Sequence, residues 1–143
     1  MSHCDNFRNI RYLARKNIND TIKPVVKEAI WGKLTISFNG KVSEYRDAIL
    51  WPTGHMEWDW RLSNTHHKPG IQINEIKELL DTGECNEIIL TTGFEDVLQV
   101  DPKTVKWLDR KNIEYKIMST LDAIKYYNQS SVKKAGILIH STC

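Results

Sequence analysis

The chain reads as an α/β protein: a single domain with an antiparallel N-terminal hairpin region followed by a sheet covered by helices. Three observations predict it. Alternating apolar residues flank an Asn39-Gly40 pair early in the chain. After residue 70, helix-period stripes alternate with short β-branched runs. A length of 143 residues fits one core and not two.

Residues 25–31 are apolar and β-branched enough for a strand. Leu34, Ile36 and Phe38 alternate with Thr35 and Ser37, as a half-buried strand requires. Asn39-Gly40 then gives the strongest short hairpin signal, since both turn positions need positive φ. Residues 45–51 return as one further strand, broken by Pro52-Thr53-Gly54. Ile73, Ile76, Leu79 and Leu80 make a helical stripe, with Asn74 placed to cap it and Gly83 just past its end. Residues 88–90 form a short buried strand. Asp101 caps a second helix with Pro102 at its first position, and Val100 and Val105 have the spacing of a hydrophobic staple. Ile113, Tyr115 and Ile117 alternate as a strand. Ser119 or Thr120 starts a third helix along Leu121, Ile124 and Tyr127, and residues 136–139 form a last strand. Strand and helix alternation with short links implies a sheet covered by helices.

Composition narrows the function classes. A charged fraction of 27% and a hydrophobic fraction of 41% are those of an ordinary globular protein. A net charge of +2 with bases scattered among acids gives no footprint for nucleic acid. No apolar run approaches the ~20 residues that span a bilayer, and no secretory core is present at the N-terminus. Cys4, Cys85 and Cys143 are an odd and widely spaced set, which argues against a disulfide framework and fits a reducing compartment. Residues 1–21 form a basic arm ahead of a domain at 22–143. Within it, residues 6–19 carry four bases and no acid; Arg8, Arg11 and Arg15 share one helical face, and Phe7, Ile10, Ala14 and Ile18 lie near the other. The pattern has some features of a mitochondrial presequence; a solvated arm or short helix is the plainer reading. As such an arm, it is expected to be dispensable for folding.

Candidate chemistry concentrates in residues 51–70, which hold Trp51, Trp58 and Trp60 with Asp59, Arg61, His55, His66 and His67. Alternation places Trp58 and Trp60 on one side and Asp59 and Arg61 on the other. The tryptophans then line either the core or a pocket wall. Arg61 and His67 are candidates to hold an anion, Arg by bidentate hydrogen bonding and His by proton exchange near neutral pH. Gly93 sits between a strand and residues 94–98, read as a helical turn, so its backbone N–H could meet an anion. Thr92 and Glu95 have capping-box spacing and could close that junction internally.

The remaining site classes are weak. His55, His66, His67, His140 and Cys143 lack any metal-binding spacing, so no metal is expected. Cys85 follows Glu84, and Cys143 closes the sequence, settings that disfavour a thiolate nucleophile. Thr92-Gly93 falls far short of Gly-x-Gly-x-x-Gly, so no nucleotide cofactor is expected. Lys33, Lys41 and Lys68 are too dispersed for a base-stacking groove on nucleic acid.

Trp51-Pro52, Trp58-Asp59-Trp60-Arg61, His67-Lys68-Pro69-Gly70 and His140-Ser141-Thr142-Cys143 together resemble the adipogenesis-associated Mth-domain family, in order and spacing over residues 25–143. The resemblance implies a three-layer α/β fold with a mixed sheet and a cytoplasmic protein linked to adipocyte differentiation in animals. A mitochondrial relative in that family is an assembly factor for respiratory complex I, and the basic arm keeps a mitochondrial location as the alternative. No catalytic residues carry over. The resemblance thus favours an adaptor or regulator whose partner is another protein. The competing reading is a small-ligand binder or enzyme at the Trp-Asp-Trp-Arg segment. Shape discriminates: a pocket lined by Arg61, Asp59 and His67 favours a ligand, a flat apolar patch favours an adaptor.

Overall fold

A computed structural model describes residues 9–143, so Cys4, Phe7 and Arg8 lie outside the described residues. Among the described residues there are two sheets. β1 (Arg11–Leu13), β2 (Val25–Ile30), β3 (Lys33–Phe38) and β4 (Lys41–Tyr45) form an antiparallel meander in that order. β5 (Ala48–Trp51), β6 (Gly54–Glu57), β7 (Glu87–Thr91), β8 (Tyr115–Met118) and β9 (Ala135–Ile139) form the central sheet, ordered β6-β5-β9-β7-β8. The helices are α1 (Trp60–Ser63), α2 (Ile73–Asp81), α3 (Pro102–Arg110) and α4 (Thr120–Tyr127). The central sheet is mixed: β7 pairs parallel with β8 and β9, and β5 runs antiparallel to β6 and β9.

Side-chain alternation sorts the central strands onto two cores. Ala48, Leu50, Ile89, Ile137 and Ile139 pack with Val26, Ala29, Leu34 and Ile36 of the meander and with Ala123, Ile124 and Tyr127 of α4. Ile49, Ile88, Leu90 and Leu138 face the other way, onto Ile76 and Leu79 of α2 and Leu108 of α3. A strand buried on both faces reads as a continuous apolar run, which is why Ile88-Ile89-Leu90 carries no alternation. The result is three layers, with the meander and α4 on one face of the sheet and α2 and α3 on the other. The chain moves from β7 through α3 to β8, then reverses through α4 to β9. Two crossovers of the same hand require the helix to change face when direction reverses, and α3 and α4 do lie on opposite faces. No helix among the described residues is long and apolar enough to cross a membrane.

The hairpin turn falls where expected, although the strand returning from it is Lys41–Tyr45 and not residues 45–51. Asn39 (φ 51°) and Gly40 (φ 79°) join β3 to β4 with Phe38 paired to Lys41. Three local expectations are corrected. The single strand at residues 45–51 is two strands in different sheets, because the chain turns at Arg46-Asp47. The α2 cap is Gln72, not Asn74; the Glu75 carboxylate reaches back to the Gln72 N–H at 2.8 Å. Residues 94–98 form no helix. Asp101 caps α3 as expected, accepting from Lys103 N–H at 2.9 Å.

In the basic segment, residues 11–13 form β1, which pairs with Glu28, Ala29 and Ile30 of β2. Tyr12 packs on the core, and its hydroxyl accepts from Asn128 Nδ2 at 2.8 Å. Asp20 braces the hairpin, accepting from Ser37 Oγ at 2.6 Å and Gly40 N–H at 3.0 Å. Deleting residues 1–21 removes all of these contacts. Three lost side-chain hydrogen bonds and one half-buried aromatic suggest a cost of about 2–3 kcal/mol, which corresponds to a melting midpoint roughly 6–10 °C lower. Differential scanning fluorimetry checks this, and a shift under about 2 °C would support residues 22–143 as the autonomous unit.

Candidate functional site

The carboxyl ends of β7 and β9 lie side by side, because the two strands are parallel neighbours. The segments that leave them are Thr92-Gly93 and His140-Ser141-Thr142-Cys143. β5 is antiparallel to β9, so Asp47, just before β5, comes to the same edge. Trp58 follows β6 and is tied there by its N–H to the Asp47 carbonyl at 3.0 Å. In open α/β sheets this edge, where chain direction reverses, is where ligands bind.

The tail after β9 is held along its length. His140 N–H donates to Thr91 Oγ1 at 2.8 Å, and Thr120 Oγ1 donates to the His140 carbonyl at 2.7 Å. Ser141 N–H donates to Asp47 Oδ1 at 2.8 Å, and Ser141 Oγ donates to the Arg46 carbonyl. The carbonyls of Ser141, Thr142 and Cys143 accept from the N–H groups of Gly32, Phe94 and Val97 at 2.8, 2.7 and 2.8 Å. His140, Ser141 and Thr142 are buried.

His140 sits at the centre. Its Nδ1 lies 3.0 Å from Asp47 Oδ2 and 3.2 Å from Oδ1, and its Nε2 lies 3.1 Å from Thr142 Oγ1. Its ring is 4.6 Å from the Trp60 ring and 5.4 Å from the His67 ring, with Trp60 and His67 5.1 Å apart. Burial, with His140 next to it, holds the His67 pKa below its ordinary value, which keeps it neutral at pH 7. Trp60 Nε1 and His67 Nε2 are buried and have no hydrogen-bond partner among the described residues. An unpaired buried polar atom costs about 1–3 kcal/mol, so two in one cluster call for an explanation.

These residues line an open groove of about 370 Å³, bounded by Arg46, Asp47, Glu57, Trp58, Asp59, Trp60, Arg61, His67, His140 and Thr142. Five of the six residues singled out from the sequence, Trp58, Asp59, Trp60, Arg61 and His67, are thus brought together. The expected alternation does not hold: exposure rises from buried Trp58 through half-buried Asp59 and Trp60 to exposed Arg61, because α1 starts at Trp60 and the segment is not a strand. Trp58 is buried and donates through Nε1 to Glu75. Asp59 caps α1 and forms a two-point pair with Arg61, at 3.0 Å from Nε and 2.9 Å from Nη2. The Arg61 guanidinium beside it holds the Asp59 carboxyl below the usual range. Arg61 is 89% exposed.

Gly93 does not line the groove but lies against the tail beside His140. A Cβ there would stand 2.2 Å from the Cys143 carbonyl and 3.1 Å from His140 Cδ2. Its N–H donates to Thr120 Oγ1 at 3.0 Å, and Phe94 N–H is taken by Thr142. The junction is closed internally, by Thr120 and Thr142 and not by the Thr92–Glu95 box. Thr92 Oγ1 instead contacts Asp96 and Met118.

His55 and His66 lie elsewhere: His55 Nδ1 is 2.7 Å from Tyr45 Oη, and His66 pairs with Asn64. Cys143 is disulfide-bonded, which corrects the expectation of no disulfide. Cys85 is the free cysteine among the described residues, and burial pushes its thiol pKa up. Asp47 and Thr142 were missed from the sequence, because nothing in their spacing shows that the tail folds back onto the turn before β5. The lining carries two arginines against three carboxylates, so its field does not select an anion.

Fold and groove define a three-layer α/β protein with a polar-aromatic groove at the carboxyl edge of its central sheet. The chain belongs to the family described as "Protein of unknown function (DUF498/DUF598)", whose model matches residues 28–138; this is the domain to which the sequence resemblance pointed. The fold is similar to that of a conserved hypothetical protein from Pyrococcus horikoshii OT3, at 22% identity and a TM-score of 0.66, over 82% of this chain and 98% of that one. It is also similar to an outer membrane protein from Bartonella henselae, at 18% identity and a TM-score of 0.58, over 85% and 97% of the two chains.

Proposed function

We propose that this protein is a small-ligand-binding member of the adipogenesis-associated Mth-domain group and that the groove beside His140 is its binding site. The observation that carries the reading is the pair of unpartnered buried atoms, Trp60 Nε1 and His67 Nε2, beside a histidine already fixed by Asp47. Trp60 offers an N–H donor, which suits a ligand carbonyl. Arg61 is paired with Asp59 and Asp47 with His140, and the remaining Arg46 and Glu57 are of opposite sign, which favours an uncharged ligand over the anion expected from the sequence. A cytoplasmic location is part of the proposal on the strength of the resemblance, with the mitochondrion as the alternative.

The test is a thermal-shift screen of small neutral carbonyl compounds, followed by titration watched at the Trp60 indole N–H resonance. Trp60→Phe keeps the ring and removes the N–H. We expect the variant to fold with stability within about 1 kcal/mol of the parent, since the N–H it loses has no partner. Affinity for a compound found in the screen is expected to fall about five- to tenfold, the worth of one hydrogen bond. Equal affinity in parent and variant would count against the groove.

The adaptor reading rests on a different observation. Leu62 on α1 is 81% exposed and lines, with Met56, a second depression that shares Trp58 and Asp59. An exposed leucine in a depression adjoining the groove suits a protein partner. Loss of partner capture in Leu62→Asp, with ligand shifts retained, would support it.

A further inference from the structure

Building on the groove as a binding site, we propose that Thr142 is a nucleophile for acyl transfer from small uncharged esters, with His140 as its base and Asp47 as the positioning carboxylate. The geometry assigns the roles. Both Asp47 oxygens lie within 3.2 Å of His140 Nδ1, so that nitrogen carries the proton. The lone pair of Nε2 is then free to accept from Thr142 Oγ1, 3.1 Å away. An acid, an imidazole and a hydroxyl in this order are recognised by geometry and not by sequence position. The order along this chain is Asp47, His140, Thr142.

Three further observations favour Thr142 over its neighbours. The Ser141 hydroxyl is committed to the Arg46 carbonyl and Ser141 is fully buried, whereas Thr142 lines the groove. The imidazole cannot drift, because the His140 N–H and carbonyl are held by Thr91 and Thr120. Trp60 borders the same groove, its ring is 4.6 Å from the His140 ring and its buried Nε1–H has no partner among the described residues, so that N–H is assigned to the acyl oxygen as negative charge develops there. A groove of about 370 Å³ admits a small acyl compound.

The reaction balances without a cofactor. Thr142 Oγ1 attacks the ester carbonyl carbon while its proton passes to His140 Nε2. The tetrahedral intermediate collapses, the ester C–O bond breaks, and His140 returns the proton to the departing alcohol or phenolate. Water then attacks the threonyl ester, losing its proton to His140. Thr142 Oγ1 leaves and recovers that proton, and the carboxylic acid is released.

The probe is p-nitrophenyl acetate added to the full chain, read by nitrophenolate absorbance, intact mass and peptide mapping. We expect one acetyl adduct, on Thr142. Thr142→Val matches the shape without the hydroxyl and is expected to lower the acylation rate about 100-fold or more. Thr142→Ser is expected to retain it. Circular dichroism and thermal melting establish that each variant is folded. His140→Gln also removes the base, but it can disturb the tail, so the valine and serine variants decide. No adduct on the folded parent, adducts on lysines alone, or equal rates in parent and Thr142→Val would overturn the proposal. If ligand binding sensitive to Trp60→Phe persists while Thr142 stays unlabelled, the groove stands and the nucleophile falls.

Discussion

Gly93→Ala is expected to be among the most damaging single methyls that can be added near the site. Gly93 has φ +99°, where an L side chain is strained, and its Cβ would lie 2.2 Å from the backbone carbonyl of Cys143. That carbonyl cannot simply move away. The tail is held to the residues after Gly93 by Phe94 N–H to Thr142 at 2.7 Å and Val97 N–H to Cys143 at 2.8 Å. Positive φ costs roughly 1–2 kcal/mol for a residue with a Cβ, and forcing an extra carbon into packed backbone costs roughly 1–3 more. We expect a loss of about 3–5 kcal/mol, a large part of the 5–15 kcal/mol typical of a domain. Gly83→Ala is the control. Gly83 also has positive φ (+72°) but has open space around its Cβ position, so only the strain applies, about 1 kcal/mol. Urea titration of both variants reads the difference. Equal midpoints would show that the tail does not pass against Gly93 as described.

The central sheet was legible because its strands carry local signals. Ile88-Ile89-Leu90, Ile113-x-Tyr115-x-Ile117 and Gly136-Ile137-Leu138-Ile139 are short apolar or alternating runs bounded by turn residues, and all three fall within or beside observed strands. Asp101-Pro102 and Asn39-Gly40 worked for the same reason: the cap and the turn are decided within four residues. The errors arose where a distant partner decides. Arg46-Asp47 breaks an otherwise continuous β pattern because Asp47 receives His140 and Ser141, some 90 residues away. Glu75 moves the α2 cap from Asn74 to Gln72 because it is already drawn inward by Trp58 and Thr65. Thr92 and Glu95 have capping-box spacing, yet no helix follows them, because the N–H groups of Phe94 and Val97 are taken by the tail and that of Leu98 by Thr92. The candidate site behaves likewise. The Trp-Asp-Trp-Arg segment stands out by density alone. His140 drew notice for its type and for the resemblance, but its role depends on Asp47 and Thr142, which only the fold brings together.

Asp47→Ala is expected to rival the glycine substitution by a different physical route. Asp47 and His140 are 7% and 3% exposed, so the carboxylate has little water to fall back on and neither has the group it serves. Removing it leaves two buried donors unsatisfied, His140 Nδ1–H and Ser141 N–H. Each buried donor left without its acceptor costs about 1–3 kcal/mol, so the two together are expected to cost about 3–5 kcal/mol. The loss should also free the tail from the turn before β5, since Ser141 N–H and His140 Nδ1 are its polar links to the Asp47 side chain. Asp47→Asn separates the two roles. Its amide oxygen can still accept from Ser141 N–H, but its NH2 faces His140 Nδ1 and drives the ring toward the Nε2–H tautomer. That variant should keep most of the stability, within about 1–2 kcal/mol of the parent, while the imidazole can no longer accept from Thr142. Urea titration measures the first effect, and 15N shifts of the His140 ring report the tautomer directly. A stability loss below about 1 kcal/mol in Asp47→Ala, or an unchanged Nδ1–H tautomer in Asp47→Asn, would mean that Asp47 neither anchors the tail nor orients the histidine.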